Sequence, residues 1–197
     1  MKTIKKVLSV FLAALMAVSC FALCAGAADG EKKEPLKVAV ASDIHTSDAE
    51  TISDIYGDGM YGNKLKFASL SDESFGVVDS FMLEAIENGA RYILITGDLT
   101  DNGTVEQHKK LAAYLNDFQK KHGVPIYVVP GNHDYYDMAG DGVEFFRETY
   151  YNMGLAQSYA RDSKTCSYAV DLGDEYTLLA IDSNLPGKTR DGMTDEL

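Results

Sequence analysis

The chain reads as an α/β domain built around a parallel sheet, and three observations predict it. Leu36 to Ser42, Arg91 to Thr96 and Val124 to Val129 are short runs rich in β-branched and apolar residues. Each such run leads at once into polar groups: Asp43-Ile44-His45, Gly97-Asp98, and Gly131-Asn132-His133-Asp134. Between the runs, apolar residues recur at helical spacing, and a strand–helix–strand–helix–strand order requires parallel crossovers. In open α/β sheets ligands bind at the carboxyl edge, so these polar groups should gather on one rim.

The first 27 residues stand apart. Lys2, Lys5 and Lys6 form a basic head, Val7 to Ala25 is almost wholly apolar, and Ala25-Gly26-Ala27 has the small-x-small pattern that signal peptidase cuts. This is the layout of a secretory signal peptide, so the protein is expected to be exported, to the cell envelope or beyond it. A transmembrane anchor is disfavoured because no basic stop-transfer flank follows. A lipoprotein acylated at Cys20 is disfavoured because Ala17 stands where a larger aliphatic residue is usual. Residues 28–35 read as a charged linker and residues 36–197 as the domain.

The whole chain carries 18 basic and 30 acidic residues, for a formal charge of −12. Cleavage after Ala27 removes three lysines and no acids, so the mature chain is more acidic still. Such a balance argues against gripping nucleic-acid backbones or anionic membranes, and it suits a cation site. Cys20 and Cys24 leave with the signal, so Cys166 remains alone. An internal disulfide and a multi-cysteine zinc site are thereby excluded, and Cys166 is expected to pack as a small hydrophobe.

The elements follow in order. Leu36 to Ser42 alternates and reads as the first strand. Thr46 to Asp72 is long, polar and without a clear period, as a cover on the substrate side or a tolerated insertion would be. Its Gly57-Asp58-Gly59-Met60-Tyr61-Gly62 is formally G-x-G-x-x-G, but no strand precedes it and Asp58 would face a pyrophosphate, so the dinucleotide reading fails. Phe75 to Asn88 is an amphipathic helix with Val78, Phe81, Met82, Ala85 and Ile86 on one face, closed by Gly89. After the second strand, Thr104 and Gln107 form a capping-box signature. The helix they open carries Leu111, Tyr114, Leu115 and Phe118 inward and ends at Gly123; its His108 and His122 read as surface residues. Val143 to Met153 predicts a third helix, with Phe145, Phe146 and Tyr150. Cys166 to Leu172 and Tyr176 to Asp182 predict an antiparallel hairpin turning at Gly173-Asp174, with Leu178, Leu179 and Ile181 poorly covered. Gly192 to Leu197 looks like the opening of another helix. Asn102-Gly103-Thr104 matches a glycosylation sequon but is better explained as turn and cap. Tyr135 and Tyr136 adjoin the rim and are expected to fill space beneath it.

Asp, His and Asn offer oxygen and nitrogen donors suited to divalent manganese, zinc or iron. Asp98, on the middle segment, is the natural bridge between two cations, and Asn132 adds a neutral oxygen where another charge would repel an anionic substrate. Two such ions can clamp the attacking and leaving oxygens of a phosphoryl transfer. Alone, Asp43-x-His45 is weak, since Asp43 could merely cap a turn, Gly97-Asp98 is a common turn, and Gly131-Asn132-His133-Asp134 is moderately specific. All three at strand ends, in this order, are hard to explain as accident.

The order Asp43-x-His45, Gly97-Asp98-x-x-Asp101, Gly131-Asn132-His133-Asp134 closely resembles the calcineurin-like metallophosphoesterase family, over about residues 36 to 185. The resemblance implies an α/β sandwich of two mixed sheets flanked by helices, and hydrolysis of a phosphomonoester or phosphodiester by hydroxide bound to a pair of divalent ions. It implies Asp43 and His45 as ligands of one ion, Asp98 as bridge and Asn132 as ligand of the other. His133 is then a donor beside the phosphate rather than a ligand, Asp134 orients it, and Asp101 lies behind the ligands. The substrate would be a phosphorylated small molecule or polymer. The family's later histidine and G-H-x-H motif find no counterpart, because no histidine follows His133. That departure predicts an N-terminal portion of a longer enzyme, truncated at the C-terminus and inactive as it stands. A non-catalytic envelope protein that binds a phosphorylated ligand on the same fold is the alternative.

Overall fold

The computed structural model describes residues 34–47, 59, 73–135 and 142–184. The expected signal peptide and Cys20, nearly all of the linker, most of the 46–72 stretch, Tyr136 and the helix expected after Gly192 lie outside the described residues. All elements below belong to one compact unit, Leu36–Leu197.

Strands β1 (Val38–Ala41), β2 (Tyr92–Thr96) and β3 (Ile126–Val129) form a parallel sheet in the order β1-β2-β3. Its register pairs Ala39 with Ile93 and Ile93 with Ile126. Helix α1 (Ser74–Glu87) makes the first crossover and α2 (Val105–His122) the second. Helix α2 begins and ends where local chemistry dictates. Thr104 accepts from the Gln107 amide while the Gln107 side chain reaches back, so the predicted capping box forms. Gly123 closes α2 at φ 69°, a left-handed position that costs glycine no steric clash.

Because strand side chains alternate, the parallel sheet has two buried faces. Ile93, Ile95, Ile126 and Val128 meet the helices, packed with Val78, Met82, Leu111, Leu115 and Phe118. Helix α3 (Gly142–Thr149) adds Phe146, followed by Tyr150, to the same core. Leu111 and Leu115 are fully buried, and each such leucine contributes about 1.5–3 kcal/mol. The opposite face presents Tyr92, Leu94, Tyr127 and Val129 to a second sheet. That sheet is antiparallel, in the order β4 (Ala160–Arg161), β5 (Tyr168–Asp171), β6 (Thr177–Ala180), and the predicted hairpin joins its last two strands. The architecture is therefore a sandwich of one parallel and one antiparallel sheet flanked by helices.

Tyr168 pins the two sheets together, donating from its hydroxyl to the Val128 carbonyl at 3.0 Å. Gly154 makes room for it: a Cβ there would stand 2.3 Å from the phenol. In β6, Leu178 is half-buried against the inter-sheet cluster, while on the outer side Leu179 and, just past the strand, Ile181 are 66% and 69% exposed, so that side of the hairpin is thinly covered.

Two expectations about side chains need correcting. His108 is not a surface residue; its relative exposure is 0%. His122 is half-buried and stacks on Phe118 with ring centroids 4.3 Å apart. Cys166 is a buried free thiol, pushed by burial up to about 12, which suits packing and not nucleophilic attack. Asn102 is 6% exposed and its side chain meets Gln107, so it serves the turn and the helix cap.

Candidate metal centre

The rim is made by loops that continue the sheet beyond its strands. Past β1, the Asp43 amide donates to the Gly97 carbonyl at 3.1 Å, His45 to Asp98 at 2.9 Å and Thr46 to Leu99 at 2.9 Å. A parallel bridge between Thr46 and Thr100 ends this zip. The chain must bend to run so, and it does at Asp43 (φ 54°), His45 (φ 39°) and Asp98 (φ 47°). These are the only non-glycine residues at positive φ among the described residues. Asp and His tolerate that region better than most, yet each still costs on the order of 1 kcal/mol. Strain confined to three rim residues points to a task beyond folding.

The third loop, after β3, is locked onto the second. The His133 amide donates to Asp98 Oδ1 at 2.9 Å. Gly131 is required there, since a Cβ would lie 2.2 Å from that same oxygen. Gly103, at φ 69°, is equally constrained: its Cβ would come within 2.6 Å of the His133 carbonyl oxygen.

Asp134 holds the two loops together. It is fully buried, and its Oδ1 accepts from the Thr100 amide and hydroxyl, both at 2.9 Å. Its Oδ2 accepts from the Leu99 amide at 3.1 Å and the Gly131 amide at 2.8 Å. Burial pushes this carboxyl up, and the charge of His108 and the amides of Gly131, Thr100 and Leu99 oppose the shift. Two bonds accepted at each oxygen is the pattern that the ionised form satisfies. The expectation that Asp134 orients the His133 ring needs revision. His133 Nδ1 instead faces the Asp101 backbone carbonyl at 2.6 Å, so Asp101 sets the ring and Asp134 sets the loop.

His45, Asp98 and His133 converge, with one donor atom from each lying within 4.8 Å of the others. His45 Nε2 stands 3.6 Å from Asp98 Oδ2, and the two imidazoles meet edge to face at 4.6 Å and 87°. Ligand atoms about 2.1 Å from a tetrahedral ion are about 3.4 Å apart, so the His45–Asp98 spacing fits a shared cation. His45 Nδ1 makes no hydrogen bond among the described residues and is shut from solvent, 3.5 Å from Asp101 Oδ1. Asp101 beside it, then Asp98 and Asp43, hold this imidazole above its ordinary range, against burial. A site whose carboxylates draw a proton onto a half-buried histidine will also draw a cation.

Of the four residues expected to bind metal, His45 and Asp98 thus lie together. Asp43 is exposed and outside the trio, although its charge reaches His45. Asn132 is exposed on the turn just before His133. His133, expected beside the phosphate, comes within reach of the same ion.

The sequence reading missed His108. Its Nε2 is 2.9 Å from the Asp134 carbonyl oxygen and its Nδ1 is 3.0 Å from the Tyr150 hydroxyl. Burial holds its imidazole below the ordinary range, opposed by the charge of Asp134. A neutral ring that donates from Nε2 and accepts at Nδ1 satisfies both partners. Spacing carried the signal, because positions 108, 111, 115 and 118 form one helical stripe.

A 3′,5′-cyclic-nucleotide phosphodiesterase of Nostoc sp. PCC 7120 is 31% identical over 103 residues, 52% of this chain and 32% of the relative. A probable glycerophosphodiester phosphodiesterase of Arcobacter nitrofigilis is 28% identical over 104 residues, 53% of this chain and 32% of the relative. The chain thus spans about a third of the length of the curated relatives it matches. The family model described as calcineurin-like phosphoesterase matches residues 36–191. With three loops zipped into one donor-rich rim and a match over nearly the whole domain, the chain belongs to the calcineurin-like phosphoesterase family.

Proposed function

We propose that this protein is an exported, metal-dependent phosphoesterase whose substrate is a phosphodiester. The observation that carries the reading is the convergence of His45, Asp98 and His133 from three separate strand ends. Both relatives are named phosphodiesterases, which supports a diester over a monoester. The basic, apolar and small-residue order of residues 1–27 supports export.

Asp43, His45 and Asp98 would hold one divalent ion, with Asp98 and Asn132 serving a second; manganese, iron and zinc all suit this donor set. Bound divalent ions supply a nucleophile at neutral pH and screen the phosphate's charge. The chain's own groups do the rest. Asp98 is fixed by the His133 amide, so its free oxygen keeps one orientation. His133, held through Nδ1 by the Asp101 carbonyl, keeps its ring at the rim, where a protonated imidazole can donate to a phosphate oxygen or the leaving group. Asp101 keeps His45 oriented by its charge.

The test is to purify the intact protein, add manganese, and follow hydrolysis of bis-p-nitrophenyl phosphate against p-nitrophenyl phosphate. Diester turnover that EDTA abolishes and Asp98→Asn abolishes supports the reading. Tight metal binding with no turnover of either ester would favour a ligand-binding role on the same fold. The mature N-terminus checks export: it should be Ala28, and a diacylglycerol on Cys20 would contradict it.

A further inference from the structure

We infer that His108 is a positioning residue that sets the catalytic rim from inside the core, by holding the backbone carbonyl of Asp134. The effect on catalysis rests on the phosphoesterase reading above; the effect on loop order does not.

The argument starts from what the turn needs. His133–Tyr135 forms one 3₁₀ turn. So short a turn closes one or two bonds of its own and leaves other carbonyls to find partners. The Tyr135 amide donates to the Asn132 carbonyl at 3.3 Å. The Asp134 carbonyl points into the core, where an unpartnered oxygen would be costly, and His108 Nε2 meets it at 2.9 Å. The ring cannot easily swing away. It has no exposure, is flanked edge-on by Phe145, Phe146 and Tyr150, and is fixed at Nδ1 by the Tyr150 hydroxyl.

What this peg holds is the residue on which the rim depends. The Asp134 carboxylate gathers the Leu99, Thr100 and Gly131 amides, and the next residue back, His133, lends its amide to Asp98. Gly103 lies flush against the same turn, so its backbone is gripped from two sides. A leucine at position 108 would fill most of the space but leave the Asp134 carbonyl without a donor. A glutamine would return an N–H at about the ε position.

The experiment is amide hydrogen exchange on the full chain, wild type against His108→Leu, His108→Gln and Tyr150→Phe, without added metal. In His108→Leu the amides of Leu99, Thr100, Gly131 and His133 should exchange about tenfold faster, the effect of losing one buried hydrogen bond. Gly123, at the far end of α2, and Gly89, after α1, serve as references and should change little. His108→Gln should recover most of the protection. Equal acceleration at the reference amides, no acceleration at the four, or a glutamine no better than leucine would each overturn the inference. Should His108→Leu fail to fold, Tyr150→Phe carries the test. Losing the hydroxyl that steadies Nδ1 must raise the same four rates above the references, and unchanged rates refute the role. With manganese and a chromogenic diester, His108→Leu should lower kcat more than it changes KM, and His108→Gln should restore it. An intact wild-type protein without turnover would remove the phosphoesterase reading and leave the exchange comparison to decide the positioning role.

Discussion

Replacing Asp134 by asparagine tests whether the rim is held by a buried carboxylate. The side chain keeps its shape but exchanges one acceptor oxygen for an NH2 group. The remaining oxygen can still take two of the four bonds now made to Leu99, Thr100 and Gly131. The amide nitrogen then faces donors, and those two bonds are lost. Hydrogen bonds to a charged group contribute about 1.5–3 kcal/mol each, so the loss is about 3–6 kcal/mol. Relief from burying a charge offsets part of this, and about 3 kcal/mol of destabilisation remains as the expectation. That is a large share of an ordinary domain stability of about 5–15 kcal/mol. Urea unfolding with EDTA present should show a lower midpoint at an unchanged slope. Thr100→Val, which removes one donor from the same carboxylate, should cost about 1.5–3 kcal/mol. An Asp134→Asn variant within about 1 kcal/mol of wild type would refute the claim that this carboxylate ties the two loops, since each lost bond should exceed that alone.

Three further outcomes follow from the same geometry. His108 is kept neutral by burial, so the unfolded chain takes up a proton that the native state refuses; this contribution is whole above about pH 6.5 and is lost as pH falls, at up to about 1.4 kcal/mol per pH unit. Urea titrations between pH 5 and 8 should show that slope in wild type and a shallower one in His108→Gln. Gly131→Ala would set a Cβ 2.2 Å from Asp98 Oδ1, so Asp98 must move, and calorimetric manganese affinity should fall about tenfold or more while the chain still folds. Asp98→Asn should weaken all metal binding, whereas His133→Gln should keep the metal and slow hydrolysis most for poor leaving groups; loss of metal in His133→Gln would make His133 a ligand.

The sequence made the large features legible because each had a local cause. The capping box at Thr104 and Gln107 formed as read, since both partners lie within one turn of chain. The three strands were readable as apolar runs, and their parallel order followed from the helices between them. What stayed hidden was whatever depends on a partner far along the chain. His108 looked solvated because its type is polar; only Tyr150 and the Asp134 carbonyl, 42 and 26 residues away, make burial affordable. The job of Asp134 was misread for a similar reason. Adjacency to His133 suggested a side-chain contact, whereas the amides that claim the carboxylate include Leu99 and Thr100, 35 and 34 residues back. Strand β4, two residues long, carries too little pattern to be seen at all.

The way the loops are interlocked explains why these motifs must occur together. The loop after β1 borrows its hydrogen bonds from the loop after β2, and so gains its bend at Asp43 and His45 only once Gly97 to Leu99 are in place. The loop after β2 in turn needs the carboxylate of Asp134 to take up the Leu99 and Thr100 amides. The loop after β3 needs Asp98 for the His133 amide and the bare backbones of Gly103 and Gly131 to approach at all. No loop is satisfied alone. Three backbone strains of on the order of 1 kcal/mol each are therefore met by bonds from neighbouring loops and not by the residues that bear them. A defect in any loop should consequently loosen donors on the other two. That coupling is also why a glycine at position 131, which carries no chemistry of its own, is as necessary to the rim's geometry as the carboxylate it abuts.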